Sequence, residues 1–600
     1  MTSKMFIRLN SSSGWVALSL LSIASFAATS DSRIAQAAKR QNKAAVRTLV
    51  AEHADVNAPE EDGATALHWA AHWDDLETAD LLIHAGANVN AANELGVTPL
   101  SLACENGSAP MVLKLLQARA NVNLAPPNGE TPLMTCARAG SVDAVKALLA
   151  GGANVNAKEN VEGQTALMWA VAERHSDVVR VLLQHGADVR ARSHTFGQFI
   201  VREETGARLV CPSPPGVKAP CVNAETVPRG GSTPLLFAAR SGDVESAKLL
   251  IAAGADVNDE APDGNSVLVV AAYSGNGKLA EFLLDKDANP SAAKGGYSAL
   301  HVALLRGDPD LVKSLLAHGA NPNTRITKGT PHMRSSQQFV LPQSLVGATP
   351  FFLAAKFAEP EMMRALTASG ADPLLPTLDG TTPLMAAAGV GYKGGETRRS
   401  REYHRIPVSD DDQSLEALKI AISLGGDVNA TNQAGDTALH GAASKAYTDL
   451  IKLLVEKGAK LDVRNKRGAT PLTLASAEPN RVYAERDRTS TKALLLQLGA
   501  KDAGNMPQQP KNLKVIADAT DVRPTMAQFT SGLGVQCAFC HVQDRSSDEN
   551  PKKQIARMML TMVNEINAKF RDGKAHISCY TCHRGETEPK ISPAATASVQ

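Results

Sequence analysis

Residues 65–90 read T-A-L-H-W-A-A-H-W-D-D-L-E-T-A-D-L-L-I-H-A-G-A-N-V-N. Thr65 is placed to cap a first helix, Leu67 to face a core, and Gly86 to end a second helix. The pattern returns along the chain. A Thr or Ser followed by Pro or Ala and then an apolar residue, usually Leu, stands at Thr98, Thr131, Thr165, Thr233, Ser298, Thr349, Thr382, Thr437 and Thr470, with Ser266-Val-Leu as a weaker copy. A Pro after the Thr takes the first helical position, where no N–H is needed. Units close on Gly-Ala-Asp/Asn-Val-Asn, as at Gly86 to Asn90, Gly152 to Asn156 and Gly254 to Asn258.

Thr65 to Thr98 and Thr98 to Thr131 are both intervals of 33 residues, and 33 with T-P-L-H-x-A is the ankyrin signature. The stretch from 31 to 502 therefore resembles ankyrin repeats, and the resemblance implies a mainly α solenoid. One unit cannot bury its own apolar face, so about a dozen must stack. Composition agrees: apolar residues make up 44% of the chain but aromatics only 4%, the Ala/Leu balance of repeated small helices. Residues 33–57 read as a worn first unit that caps the array. Longer intervals mark insertions near 190–230, 324–346, 390–413 and 478–489. The first contains Cys211 and Cys221 among prolines, a pair placed to form a disulfide in an exported protein; two free loop thiols are the alternative.

Cys104 and Cys136 fall where the repeat wants alanine and read as buried spacers, not ligands. Trp69 and Trp169 read as framework. His68, His301 and His440 occupy the histidine slot of T-P-L-H, whose family role is to bond the backbone between repeats. The ankyrin resemblance places protein docking on the inner helix face before the mid-repeat turn. Trp73, Arg138, Arg240, Arg306, Lys356, Phe357 and Lys445 stand there, with Glu105 and Glu173 against the trend. A basic stripe with two aromatics suits an acidic partner. The net charge of +1 favours neither nucleic acid nor an anionic membrane surface.

Near the C-terminus stand Cys537-Ala-Phe-Cys540-His541 and Cys579-Tyr-Thr-Cys582-His583. C-x-x-C-H is the attachment signature of c-type haem: two thiols add across two vinyl groups, and the histidine becomes an axial ligand. Zinc or two disulfides could use the same cysteines, but neither requires a histidine after both pairs. The sixth ligand separates electron transfer from ligand binding. Methionine precedes each motif: Met526 before the first, and Met558, Met559 and Met562 before the second. Spacing leaves the choice among these open.

The run M-x-x-F-x-x-x-L-G-V-x-C-x-x-C-H, then A-R-M-M-L-T-M-V-N-E-I-N, then C-Y-T-C-H-R-G resembles the cytochrome subunit of photosynthetic reaction centres. Residues 512–589 look like one pair of haem units from a subunit that usually carries four. The resemblance implies a small helical dihaem domain with two covalent haem c groups, Met526 ligating the haem of His541 and Met559 that of His583. The missing second pair leaves photosynthetic coupling unimplied.

At the other end, Lys4 and Arg8, an apolar run from Trp15 to Phe26 and the small residues Ala27 and Ala28 have the layout of a signal peptide over 1–28; a membrane anchor is the alternative, for which the apolar run is short. Residues 503–511 read as a short linker and 590–600 as a disordered tail. No later segment is long and apolar enough to span a bilayer. The sequence thus predicts an exported, periplasmic or otherwise extracytoplasmic electron carrier with a redox protein partner, positioned by the repeats. A dihaem peroxidase with one open iron is the enzymatic alternative, and a pure interaction scaffold with a zinc or disulfide module the other.

Overall fold

A computed structural model describes residues 31–201, 224–329, 345–391, 411–476, 488–501 and Thr561. The chain divides into two compact units, Met1–Lys501 and Asp502–Gln600. The described residues form 24 helices and one two-stranded sheet, which makes the fold mainly α. None of these helices is long and apolar enough to cross a membrane.

Each repeat is a pair of antiparallel helices, and the pairs stack first helix on first helix and second on second. The first helices start as the sequence predicts. Thr98 is extended, and its hydroxyl accepts the Ser101 N–H at 3.1 Å; Thr165 and Thr349 do the same for Met168 and Phe352. The next apolar residue, Leu67, Leu100, Leu133 and onward to Phe351 and Leu439, is at most 1% exposed. Each such burial is worth about 1.5–3 kcal/mol. Pairs of small residues follow, such as Ala70 and Ala71 or Ala354 and Ala355, all buried. Their lack of bulk lets consecutive first helices approach closely. Arg33–Lys39 and Lys43–Ala51 form the opening pair.

At one such close approach the sequence reading is corrected. Cys104 and Cys136 are buried as expected, but they are not independent spacers: they are joined as a disulfide across adjacent repeats. Cys104 fills the second small position of its helix and Cys136 the first of the next, and their Cα atoms lie 4.4 Å apart.

The asparagines that close the units tie repeats together. The Asn123 amide donates to the Gly152 carbonyl at 3.2 Å and accepts the Asn154 N–H at 2.9 Å; Asn156 repeats this with Gly186 and Asp188, and Asn429 with Gly458 and Lys460. One side chain thus satisfies a carbonyl just past a helix end and an N–H of the loop that follows it. Across the insertion after Asn323 the rung persists, to Gly370 at 3.0 Å and Asp372 at 2.7 Å.

The insertion near 190–230 differs from a plain loop. Its ends are an antiparallel ribbon, β1 (Thr195–Val201) and β2 (Ala224–Gly230), paired from Thr195 opposite Gly230 to Val201 opposite Ala224. The aromatic and β-branched residues of T-F-G-Q-F-I-V favour a strand. A two-stranded ribbon leaves each strand an outer edge, which tolerates Pro228. Ser193 and Ser232 tie its base, through the Ser193 N–H to the Ser232 carbonyl and the Ser232 N–H to the Ser193 hydroxyl. Cys211 and Cys221 lie outside the described residues. After the third insertion the second helix of its unit runs Asp411–Ser423, and after the fourth the closing helix runs Arg488–Gln497.

The histidine slots bond the backbone. His68 Nδ1 accepts the Thr65 N–H at 3.0 Å, which leaves the proton on Nε2 to donate to the Val97 carbonyl of the next repeat, also 3.0 Å. His440 does the same between Thr437 and Ala469. His301 Nδ1 accepts from Ser298, but its buried Nε2 makes no hydrogen bond of good geometry among the described residues, with the Thr324 and Ala348 backbone as its polar neighbours. Burial pushes all three imidazoles down, His301 to about 4. An unfolded histidine titrates near 6.5. Between that value and about 4 the unfolded chain holds a proton that folded His301 lacks. Its contribution is therefore complete above pH ~6.5 and is lost as pH falls toward 4. The melting temperature should drop by several degrees between pH 7 and 5. His301→Gln, which retains an acceptor for the Ser298 N–H, should flatten that slope; an unchanged slope in the variant would place the proton uptake elsewhere.

The left-handed turn between the two helices of a repeat gives a second test. Gly140 has φ +76°, and an added Cβ would come within 2.6 Å of the His175 ring. Ala358 holds the equivalent turn at φ +53° with a side chain. Gly140→Ala should cost about 2 kcal/mol or more, and Ala358→Gly should gain about 1 kcal/mol, in chemical denaturation.

Candidate functional site

The first helices expose their C-terminal ends along one face, and the residues there are set by what the helix ends need. A helix terminates with carbonyls that lack partners and with partial negative charge. Side chains of neighbouring repeats meet both needs. Asn106 donates to the Ala71 and His72 carbonyls at 3.0 and 2.8 Å, and Asn276 to those of Ala239 and Arg240 at 2.8 and 3.1 Å. Arg306 donates to the Tyr273 carbonyl at 3.0 Å, Lys356 to that of Gly391 at 3.2 Å, and Arg488 to that of Ser444 at 2.8 Å.

This geometry divides the basic stripe read from the sequence. Lys356 and Lys445 are both 7% exposed and belong to the packing, with the Lys445 ammonium 5.6 Å from the Tyr447 ring centre. They do not present charge to a partner, which corrects the sequence reading for these two. Arg138, Arg240 and Arg306 are exposed, as are Glu105 and Glu173, while Phe357 is half-buried. Trp73 is 44% exposed, and its indole N–H donates to the Lys39 carbonyl at 3.2 Å.

The structure adds residues that the sequence reading assigned to the framework. Trp69 is half-buried: one side packs on the core, the Lys39 ammonium lies 4.7 Å from the ring centre, and the indole N–H donates to Glu60 at 3.0 Å. His72 meets the rings of Trp69 and Trp73 edge-on at 5.8 and 4.6 Å. Arg138 repeats the arrangement over Trp169 at 5.1 Å and pairs with Glu130 at 3.4 Å. Together these make a half-exposed row of indoles and cations, the side-chain chemistry enriched at protein interfaces.

Residues 34–126, 100–193, 235–326 and 408–496 match the family described as ankyrin repeats in three copies. The chain belongs to the ankyrin-repeat family. Its C-terminal part, residues 464–598, matches the photosynthetic reaction centre cytochrome C subunit family. The two matches overlap within the last repeat, where Pro471–Ser476 and Arg488–Gln497 pack on the preceding helix pair. Among known proteins, the chain is similar to mouse ankyrin repeat and SOCS box protein 16, at 29% identity over 272 residues, covering 42% of this chain and 54% of that protein. It is similar to the Arabidopsis thaliana E3 ubiquitin-protein ligase KEG at 30% over 287 residues, 46% of this chain and 15% of that one. Human neurogenic locus notch homolog protein 1 matches at 30% over 236 residues, 37% and 8%. The chain thus spans about half the length of the mouse relative and far less of the other two.

Every haem-ligand candidate, Met526, Cys537, Cys540, His541, Met558, Met559, Met562, Cys579, Cys582 and His583, lies outside the described residues. So do residues 1–28, 503–511 and 590–600. Among the described residues of this ankyrin-repeat protein, no cluster of three or more His, Cys, Asp or Glu is arranged to hold a metal ion.

The division of the stripe is open to test. Trp73→Ala should cost at most about 1 kcal/mol, because it gives up one exposed hydrogen bond from a half-exposed ring. Lys356→Ala should cost about 1–3 kcal/mol, because it removes a side chain that is only 7% exposed together with its hydrogen bond to the Gly391 carbonyl. Equal costs would mean that both positions are structural.

Proposed function

We propose that the protein is an exported electron-transfer protein in which an ankyrin array positions a dihaem c-type cytochrome domain. The observation that carries this reading is the pair of C-x-x-C-H motifs inside the stretch that matches the reaction-centre cytochrome family. The donor set fits the group: each motif supplies two thiols and an imidazole, the complement that covalent haem attachment uses. Cys537, Cys540 and His541 would hold one haem, and Cys579, Cys582 and His583 the other. Bound haem supplies a one-electron couple at iron. Met526 and Met559 would supply the sulfur donors, and a thioether donor raises the potential of a bound haem and keeps small molecules away from it.

Haem attachment requires delivery to the compartment where thiols and haem meet, so the reading includes export directed by residues 1–28. The indole and arginine row of the ankyrin array is the surface assigned to protein docking, with the exposed Trp73, Arg138 and Arg240 as its anchors.

The full chain, produced with its leader in a host that matures c-type cytochromes, should carry two covalent haems by pyridine haemochrome quantitation. Its oxidised spectrum should be low-spin with the weak far-red band of methionine ligation. Cys582→Ala should reduce covalent haem to about one per chain. Met526→Ala should remove the far-red band of one haem and let it bind added imidazole. One high-spin haem in the wild-type protein would favour the peroxidase class instead, and bound zinc without haem would leave a scaffold alone.

A further inference from the structure

Four of the eight cysteines of the chain, Cys104, Cys136, Cys211 and Cys221, are used by neither the haem motifs nor the repeat signature, and of these Cys104 and Cys136 lie among the described residues. Both lie at zero exposure, on Pro99–Glu105 and Pro132–Ala139, first helices of adjacent repeats, and a covalent bond joins them. The 4.4 Å Cα separation falls within the range that a disulfide spans. Leu100, Met111, Leu133 and Leu148, all at most 1% exposed, belong to the same core.

We propose that Cys104 and Cys136 are a site of oxidative modification handled separately from the haem cysteines: an oxidised staple inside a chain whose haem motifs require reduced thiols. The staple needs an oxidant of the thiol–disulfide exchange class. Two thiols give up two electrons and two protons, the oxidant's disulfide becomes a dithiol, and one S–S bond forms in the protein as one breaks in the oxidant. The thioether bond is the opposite case. Each thiol adds across a vinyl group with no net redox change, and a C-x-x-C pair closed on itself has no thiol to add. The second half of this inference therefore rests on the haem reading given above.

Burial resolves the conflict between the two demands. Exchange requires a thiolate to reach a disulfide sulfur. Before the two repeats close, Cys104 and Cys136 are open to the oxidant. Once the first helices stack, a reductant reaches the bond only through local opening of the array. The same reductant can keep Cys537, Cys540, Cys579 and Cys582 as thiols until haem arrives. The bond also ties two units of a fold in which each unit contacts only its neighbours, so it limits fraying between the third and fourth helix pairs.

The full chain, matured with haem in an exporting host, would be denatured without reductant, alkylated and mapped as peptides by mass spectrometry. Linked Cys104 and Cys136 peptides are expected; alkylated thiols at both positions would overturn the inference. In the folded protein, dithiothreitol should reduce this bond at least ~100-fold more slowly than in denaturant, and equal rates would overturn the sheltering argument. The double variant Cys104→Ala/Cys136→Ala, with alanine in slots that favour it, should melt roughly 5 °C lower than wild type. Identical melting would remove the stapling role. Haem counted on the same sample separates the two readings: two haems with free Cys104 and Cys136 sinks this inference alone, and a linked pair without haem sinks the electron-transfer reading and the contrast with the haem cysteines, leaving only the staple.

Discussion

No helix pair in this array can bury its apolar face against itself, and this constraint accounts for most of the rest. Leu67, Leu100 and Leu133 are sealed because the next pair covers them, so the repeats must agree in spacing and in the size of their contact residues. Small side chains at the closest approach of the first helices follow from this need. So do the asparagine rungs, which use one amide to satisfy a donor and an acceptor belonging to the neighbour. The left-handed turns follow as well, since Gly140 has no room for a side chain beneath His175.

The same constraint decides what could be read in advance. Helix starts, the buried leucines and the period are local signals repeated many times, and the array appears where Thr-Pro-Leu places it. Interactions that depend on an offset between repeats were harder to see. Arg138 stands seven positions after Thr131, and Trp169 four after Thr165; Lys39 and Trp69 have the same relation from Ser32 and Thr65. The cation at one offset meets the aromatic at the other only in the next unit. Reading each unit by itself therefore made Trp69 and Trp169 framework and Arg138 a free charge of the stripe. Cys104 and Cys136 were hidden for the same reason: each looks like a substitute for alanine until the second small position of one repeat is set against the first of the next. The ribbon from Thr195 to Gly230 was missed because an insertion has no periodic copy to compare with.

The candidate haem segment was legible in a different way. C-x-x-C-H carries its chemistry in five consecutive residues, so no fold is needed to read it, and the family match to residues 464–598 agrees. The choice of sulfur donor is less local, because Met558, Met559 and Met562 share one short stretch. Cations on the array face illustrate how charge can mislead in a helical repeat. Lys356 and Arg306 sit where a helix ends in open carbonyls, and a basic residue at that place answers the helix dipole before it answers any partner.

The rung from Asn323 to Gly370 and Asp372 has the same two hydrogen bonds as rungs whose partners lie about thirty residues away, although its own partners are nearly fifty residues along the chain. Register in this array is counted in space, by which unit lies beneath, and not along the polypeptide. The turns between units therefore act as ports: new sequence can enter there without disturbing the lattice on either side. A protein built this way can acquire surface features one turn at a time, each inherited independently of the core that carries it.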